Sequence, residues 1–176
     1  MDNHDDHLQD NGIEAGEVEE AGSLDHKAGK YLTFVLSGQE FGLEITKVRD
    51  ILGVLDITPV PQTVDFLLGV INLRGKVIPV IDLRLRFGHE YRPPDERTCI
   101  IVVEVSGAEG QSIMISIMVD EVKEVVNVRP GEIDPTPRFG VEMDVAYILG
   151  MAKTEDSVKI LLDIDRVVND SQLVRV

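Results

Sequence analysis

Cysteine is nearly missing from this chain: Cys99 stands alone among 176 residues. That excludes an internal disulfide framework and fits a reducing compartment. Tryptophan is absent, and three tyrosines and five phenylalanines are the only aromatics, which leaves little of the platform a sugar-processing site needs. No apolar run approaches the ~18 residues of a membrane span, so no direct membrane insertion is expected. The opening MDNHDDHLQD lacks the basic and apolar regions of a secretory signal, and a cytoplasmic location is expected.

Positive charge is also scarce. The chain carries 17 bases against 32 acids, a net charge of −15. Residues 1–26 contain nine acids and no Lys or Arg, so the remaining 150 residues hold a net −6. Phosphate backbones are gripped by clustered Lys and Arg. Nucleic acid and anionic membrane are therefore set aside as partners.

The first 28 residues are acidic, Gly-rich and poor in large apolar side chains, the composition of a disordered tail. The folded region is expected over 29–170, with 171–176 a short C-terminal tail. Within it KYLTFVLSGQEFGLEI reads as a hairpin turning at Ser37-Gly38. TCIIVVEVSGAEGQSIMISIMVDEV reads as another, looping from Ser106 to Gln111. TKVRDIL is expected as a turn leading into a strand, PQTVDFLLG as a brief helical turn, and VKILLDI as a last strand before a short helix. Two loose internal matches, Val48/Ile51 with Val122/Val125 and Ile81-Asp82-Leu83 with Leu162-Asp163-Ile164, suggest two all-β units, one after the other. Small barrels close their own hydrogen-bonding edges, so the expectation is an all-β chain of two small barrels side by side.

Catalytic chemistry finds little support. His4, His7 and His26 fall in the tail, where nothing holds a general base against a substrate, and His89 stands apart. No nucleophile elbow or phosphate-binding glycine loop appears. His4-Asp5-Asp6-His7 lacks the scaffold of a metal site, and Cys99, between β-branched neighbours, reads as a small core residue. No enzyme, cofactor or metal is expected.

The segment GVINLRGKVIPVIDLR, residues 69–84, is different. It is apolar on both alternations, as in a hairpin buried on both faces, yet it turns at Arg74, Gly75 and Lys76. A guanidinium framed by Val70, Ile71, Leu73, Val77 and Ile78 suits a protein interface, where Arg is enriched inside a water-excluding rim. Pro79 has no ladder donor, so its strand is expected at an edge or a bulge. PTPRFGV offers a second candidate, with Pro135 and Pro137 stiffening a loop that presents Phe139.

These residues closely resemble the signature of the CheW family of bacterial chemotaxis coupling proteins. The likeness runs from about Tyr31 to Val168 and includes EFGLEITKVRDIL, GVINLRGKVIPVIDLRLRF, VDEVKEVV, PTPRFG and the YILGMAK…VKILLDI end. It implies two five-stranded SH3-like barrels, short helical segments, a C-terminal helix and no enzymatic activity. The implied partners are the regulatory domain of a CheA-type histidine kinase and the helical tip of chemoreceptors. Receptor contact would involve the first barrel and the groove between barrels, at Val48, Asp50, Gly69, Val70, Asn72, Arg74 and Gly75. Kinase contact would involve barrel ends, at Val122 and Phe139. Related motility arrays (pili or gliding) and a small-molecule-binding β-barrel sensor are the alternatives.

Overall fold

The computed structural model describes residues 27–107, 109–135, 145–154 and 157–168. The tail over 1–26, the 171–176 terminus and Phe139 lie outside them.

Among the described residues, eleven strands form two sheets. Six belong to one barrel: β1 (Gly29–Leu36), β2 (Gln39–Glu44), β8 (Glu121–Val128), β9 (Ile133–Asp134), β10 (Ile148–Lys153) and β11 (Val158–Leu162), in the order β8-β1-β2-β11-β10-β9. Five form the other: β3 (Val48–Gly53), β4 (Leu67–Leu73), β5 (Lys76–Asp82), β6 (Cys99–Ser106) and β7 (Ser112–Val119), in the order β3-β6-β7-β5-β4. The sixth strand of the first sheet is the two-residue β9. Short helices follow each barrel's parallel-paired strand: α1 (Leu83–Arg86) after β5 and α2 (Ile164–Val168) after β11.

The two units are not consecutive, contrary to the repeat-based expectation. The hairpin β1–β2 pairs with β8 and β11, and β3–β7 is inserted between them. We call the outer unit the discontinuous barrel and β3–β7 the inserted barrel.

Alternation explains how each sheet is buried on both faces. In β6, Ile100 and Val102 point into the inserted barrel with Ile71, Ile78, Val80 and Met118. Ile101, Val103 and Val105 point the other way, into a core shared with Leu32, Phe34 and Leu36 of β1. Likewise Leu161 of β11 lies with Tyr31, Val128, Ile133 and Ala152, while Ile160 and Leu162 join the shared core. Strands buried on both faces read as continuous apolar runs, which accounts for CIIVVEV and SIMISIMV. The shared core is the largest of the three, so the barrels are welded by apolar packing rather than strung together.

The expected hairpins at Ser37-Gly38 and at 106–111 are present, with Leu36 opposite Gln39 and Ser106 opposite Ser112. TKVRDIL is a 3-10 turn, Ile45–Lys47, feeding β3. PQTVDFLLG is not helical: it makes a bend and a turn before β4 begins at Leu67. Cys99 is partly buried against the shared core.

Candidate functional site

The inserted barrel closes where its two terminal strands meet. The chain leaving β3 swings across the end of the barrel and pairs with β4, Thr58 and Val70 exchanging both backbone hydrogen bonds at 2.9 Å. Gly69 makes this crossing possible. Its φ is +148°, and a Cβ there would overlap the Thr58 carbonyl and approach Pro59 Cα to 2.9 Å. Leu52 of β3 and Ile57 complete the closure by packing with Ile71 and Ile78.

The pairing of β5 with its two neighbours explains Pro79. β5 is not an edge strand but lies between β7 and β4, and its ladder with β4 shifts register close to Pro79, between Leu67 and Gly69. Pro79 stands opposite Val70, whose own N–H and C=O face Thr58 instead. The Pro79 nitrogen then faces β7, and the ladder with β7 begins one residue later, at Val80. Its carbonyl is used, accepting from Ser116 Oγ at 2.8 Å.

Beyond the crossing the β4–β5 hairpin ends in a two-residue turn. Arg74 has φ +53° and Gly75 φ +85°, the pair of positive angles that matches strand twist in a tight hairpin. Asn72 fastens it, its Oδ1 accepting the Gly75 N–H at 3.0 Å. Glycine or asparagine takes such a conformation cheaply, whereas an arginine costs roughly 1–2 kcal/mol. The Arg74 side chain is 84% exposed, and its ion pair with Asp50 of β3 is long at 3.8 Å. An exposed pair of that kind contributes little to stability. Ser37 and Gln62 share the positive φ, so what sets Arg74 apart is the exposed guanidinium at the tip.

Beside the polar turn stands an exposed apolar side chain. Asn72 lies opposite Val77, which is 69% exposed, and both face outward because Ile71 and Ile78 face inward. On the β3 side Ile51, Val54 and Leu55 are exposed. Sequence reasoning missed these three; their signal was the apolar run ILGVLD, which the strand pattern did not absorb. Of the seven residues expected to meet a receptor, Asp50 and Arg74 pair directly, Asn72 and Gly75 share the turn, and Gly69 and Val70 form the crossing beneath it. Val48 stands apart: it is half-buried against the shared core.

Val122 lies on the discontinuous barrel. It is opposite Phe34 and half-buried against the shared core, so it supports β8 more than it faces outward. Val125, three residues on, is 51% exposed on that edge strand.

Between the two faces sits a polar junction that the sequence did not reveal. Asp120 joins β7 to β8. Its carboxylate accepts two hydrogen bonds from Arg84 of α1, at 2.7 and 2.6 Å, and a third from the Ser37 N–H at 2.8 Å. Burial alone would raise the Asp120 pKa, but these donors and the nearby Arg charges outweigh it and hold the carboxyl below its usual range. Two residues after Arg84, Arg86 lies over the rings of Phe66 and Tyr147, at 4.7 and 5.0 Å, and donates to the Val167 carbonyl. Glu44, near Asp163 and Asp165, has its pKa pushed up chiefly by burial.

Among the described residues each barrel interior is packed by its own apolar side chains. Among the described residues no group of His, Cys, Asp and Glu is arranged to hold a metal ion. Also among them, no helix is long and apolar enough to cross a membrane.

A family model described as a CheW-like domain matches residues 30–172. The chain belongs to the CheW family. It is 34% identical over 147 residues to a chemotaxis protein CheW of Klebsiella aerogenes, covering 84% of this chain and 86% of that one. Against the chemotaxis protein CheW of Bacillus subtilis the identity is 34% over 142 residues, covering 80% and 86%. A crystal structure of a scaffolding protein, TtCheW from Thermoanaerobacter tengcongensis, superimposes with a TM-score of 0.72 at 35% identity, over 82% of this chain and 95% of that one. The two barrels are thus the SH3-like pair of the CheW fold, and the interleaved strand order belongs to that fold. One expectation from the family needs restating in these terms. The barrel carrying Asp50 and Arg74 is the inserted one, so "first barrel" does not mean the N-terminal strands.

Proposed function

We propose that this chain is a non-enzymatic scaffold of a chemotaxis signalling assembly, joining the helical tip of chemoreceptors to the regulatory domain of a CheA-type histidine kinase. The observation that carries it is Arg74: an exposed, positive-φ arginine at a hairpin tip, beside exposed Val77 and paired at long range with Asp50 of β3. A receptor helix presents an apolar stripe at i, i+3, i+4 spacing. Val70, Val77 and Ile51 supply apolar surface for it, and Arg74 supplies a guanidinium to set its register against a carboxylate.

The kinase would dock on the discontinuous barrel, at the β8 edge around Val122 and Val125 and at Phe139. With receptor and kinase surfaces on different barrels, the shared core is what holds the two partners in fixed relation. Such a scaffold works in the cytoplasm, at membrane-associated receptor arrays. The packed barrel interiors favour this reading over a small-molecule sensor.

Reconstitution tests it. Titration calorimetry of the chain with the kinase regulatory domain, and separately with a receptor-tip fragment, should give saturable binding in each case. Loss of the receptor isotherm in Arg74→Ala, with an unchanged circular dichroism spectrum, supports the docking role. An Arg74→Ala chain that unfolds reduces Arg74 to a structural part.

A further inference from the structure

The two barrels repeat one another contact by contact. Phe66 and Tyr147, each just before a strand, accept from the Asp82 and Asp163 amides, both at 2.8 Å. Leu67 lies opposite Ile81 as Ile148 lies opposite Leu162, and both ladders shift register before the next glycine, Gly69 or Gly150. A Cβ on either glycine would come within 3.0 Å of a crossing segment's carbonyl oxygen, that of Thr58 or Asp134. Phe66 and Tyr147, Gly69 and Gly150, Asp82 and Asp163 share one spacing along the chain.

Strand order repeats as well. Exchanging β3 for β8, β6 for β1, β7 for β2, β5 for β11 and β4 for β10 converts one sheet into the other, short β9 aside. The repeats are therefore β1–β5 with α1 and β6–β11 with α2, consecutive in the chain although the barrels are interleaved. Neither repeat builds a barrel alone. The inserted barrel takes its hairpin β6–β7 from the second repeat, and the discontinuous barrel takes β1–β2 from the first. The shared core, the Arg84–Asp120 pair at 2.6 Å and the Arg86 bond to the Val167 carbonyl at 2.9 Å all join one repeat to the other.

The covalent link between repeats is the stretch 87–98. Residues 90–97 are all exposed and include Pro93-Pro94, which hold the chain extended. Two of its ion pairs to the body, Arg92 with Asp120 at 3.7 Å and Arg97 with Glu121 at 3.9 Å, are long. Asp82 and Ile100 both lie opposite Met118, on either side of β7, two strand spacings or about 10 Å apart. Residues 90–97 alone extend up to ~28 Å, so the link has length to spare for reaching the same place on a neighbouring copy.

We propose that the chain exchanges repeats with a second copy of itself, hinged at 87–98, so that β1–β5 of one copy complete both barrels with β6–β11 of the other. The barrel that carries Arg74 then takes β6 and β7 from the partner copy. Exchange reuses every contact between repeats and needs no new surface, the low-cost route to a dimer. A tether of this length gives a millimolar-order effective concentration for self-closure. Single copies therefore dominate in dilute solution, and exchanged pairs grow where copies are concentrated.

The test uses full chains and no other protein, so its failure leaves the scaffold reading standing. One chain carries Ile81→Asp with Leu83→Asp in the first repeat, another Ile101→Asp with Val103→Asp in the second. All four side chains are fully buried in the shared core, so each chain alone unfolds. Mixed in denaturant and refolded together at millimolar concentration, the pair holds one sound copy of each repeat. The proposal expects recovery of up to half the wild-type circular dichroism signal, in a species of twice the chain mass by light scattering. Wild type refolded at that concentration should give the same doubled mass, persisting on dilution. Recovery no greater than the sum of the separate variants overturns the proposal, as does a wild type that stays a single chain. So does equal recovery when the Ile101→Asp, Val103→Asp chain is mixed with one carrying Leu161→Asp and Ile164→Asp, since both are altered in the second repeat and exchange cannot assemble a sound pair.

Discussion

Arg84 and Asp120 meet in a two-pronged ion pair, Nε to Oδ1 at 2.7 Å and an outer guanidinium nitrogen to Oδ2 at 2.6 Å, with side chains only 15% and 14% exposed. Arg84 follows β5, the strand that leaves the Arg74 turn, and Asp120 precedes β8, the strand that carries Val122 and Val125. The same carboxylate holds the Ser37 amide of the β1–β2 turn. One residue therefore ties the inserted barrel to the discontinuous one at the point where the chain crosses between them.

Asp120→Asn should destabilise the fold at neutral pH, by about 1–3 kcal/mol for a partly buried charge-assisted network. The Asp120 pKa is depressed in the folded state, so its stabilisation is present above the unfolded value near 4 and is lost as pH falls through the folded one. Urea denaturation at pH 7 and near pH 3 checks this: the gap between wild type and variant should be clear at pH 7 and shrink in acid.

Gly69→Ala should cost more than about 2 kcal/mol, because a methyl group meets the Thr58 carbonyl and the backbone sits at φ +148°. Gly53→Ala is the control, since a Cβ there meets nothing within 4 Å. Thermal unfolding of the two variants should separate them widely, with Gly53→Ala close to wild type.

Arg74→Gly should do the opposite of an ordinary loss of side chain. It relieves the positive-φ strain at residue 74, which is worth about 1 kcal/mol, against a solvent-screened ion pair of small value and the greater entropy glycine brings to the unfolded chain. Unfolding experiments should therefore show stability kept or raised, while receptor-fragment affinity falls at least about tenfold (~1.4 kcal/mol). A clear loss of stability would show that Arg74 is retained for the fold.

Ile101→Ala removes a fully buried side chain from the core between the barrels and should cost about 2–5 kcal/mol. Because both sheets rest on that core, fluorescence and amide-exchange probes in either barrel should report a single transition at the lowered midpoint.

The local architecture was legible because it is local. Ser37-Gly38 and Arg74-Gly75 mark tight turns, and strict alternation in CIIVVEV divides into two apolar faces once two cores are available to receive them. The partition of strands was not legible. Phe34 opposite Val122, or Phe41 opposite Ile160, is a pairing between distant segments, and internal similarity suggested consecutive units where the chain builds interleaved ones. Pro79 misled for a related reason: its missing donor is harmless on an inner strand because the ladder with β7, which its nitrogen faces, begins one residue later at Val80. At the candidate surface the structure brings together two residues named from the family resemblance, Asp50 and Arg74. Ile51, Val54, Leu55 and Val125 were not found, since exposure of an apolar side chain depends on what the rest of the fold leaves uncovered.

The most direct test of the central claim is a three-component titration. The kinase regulatory domain is titrated into the chain alone and into the chain saturated with receptor-tip fragment, for wild type, Arg74→Gly and Val125→Asp. The account predicts that wild type binds both partners at once, that Arg74→Gly loses only the receptor, and that Val125→Asp loses only the kinase. If either variant lost both partners while remaining folded, or if the two partners excluded one another on the wild type, two separate docking faces on a welded pair of barrels would be the wrong description.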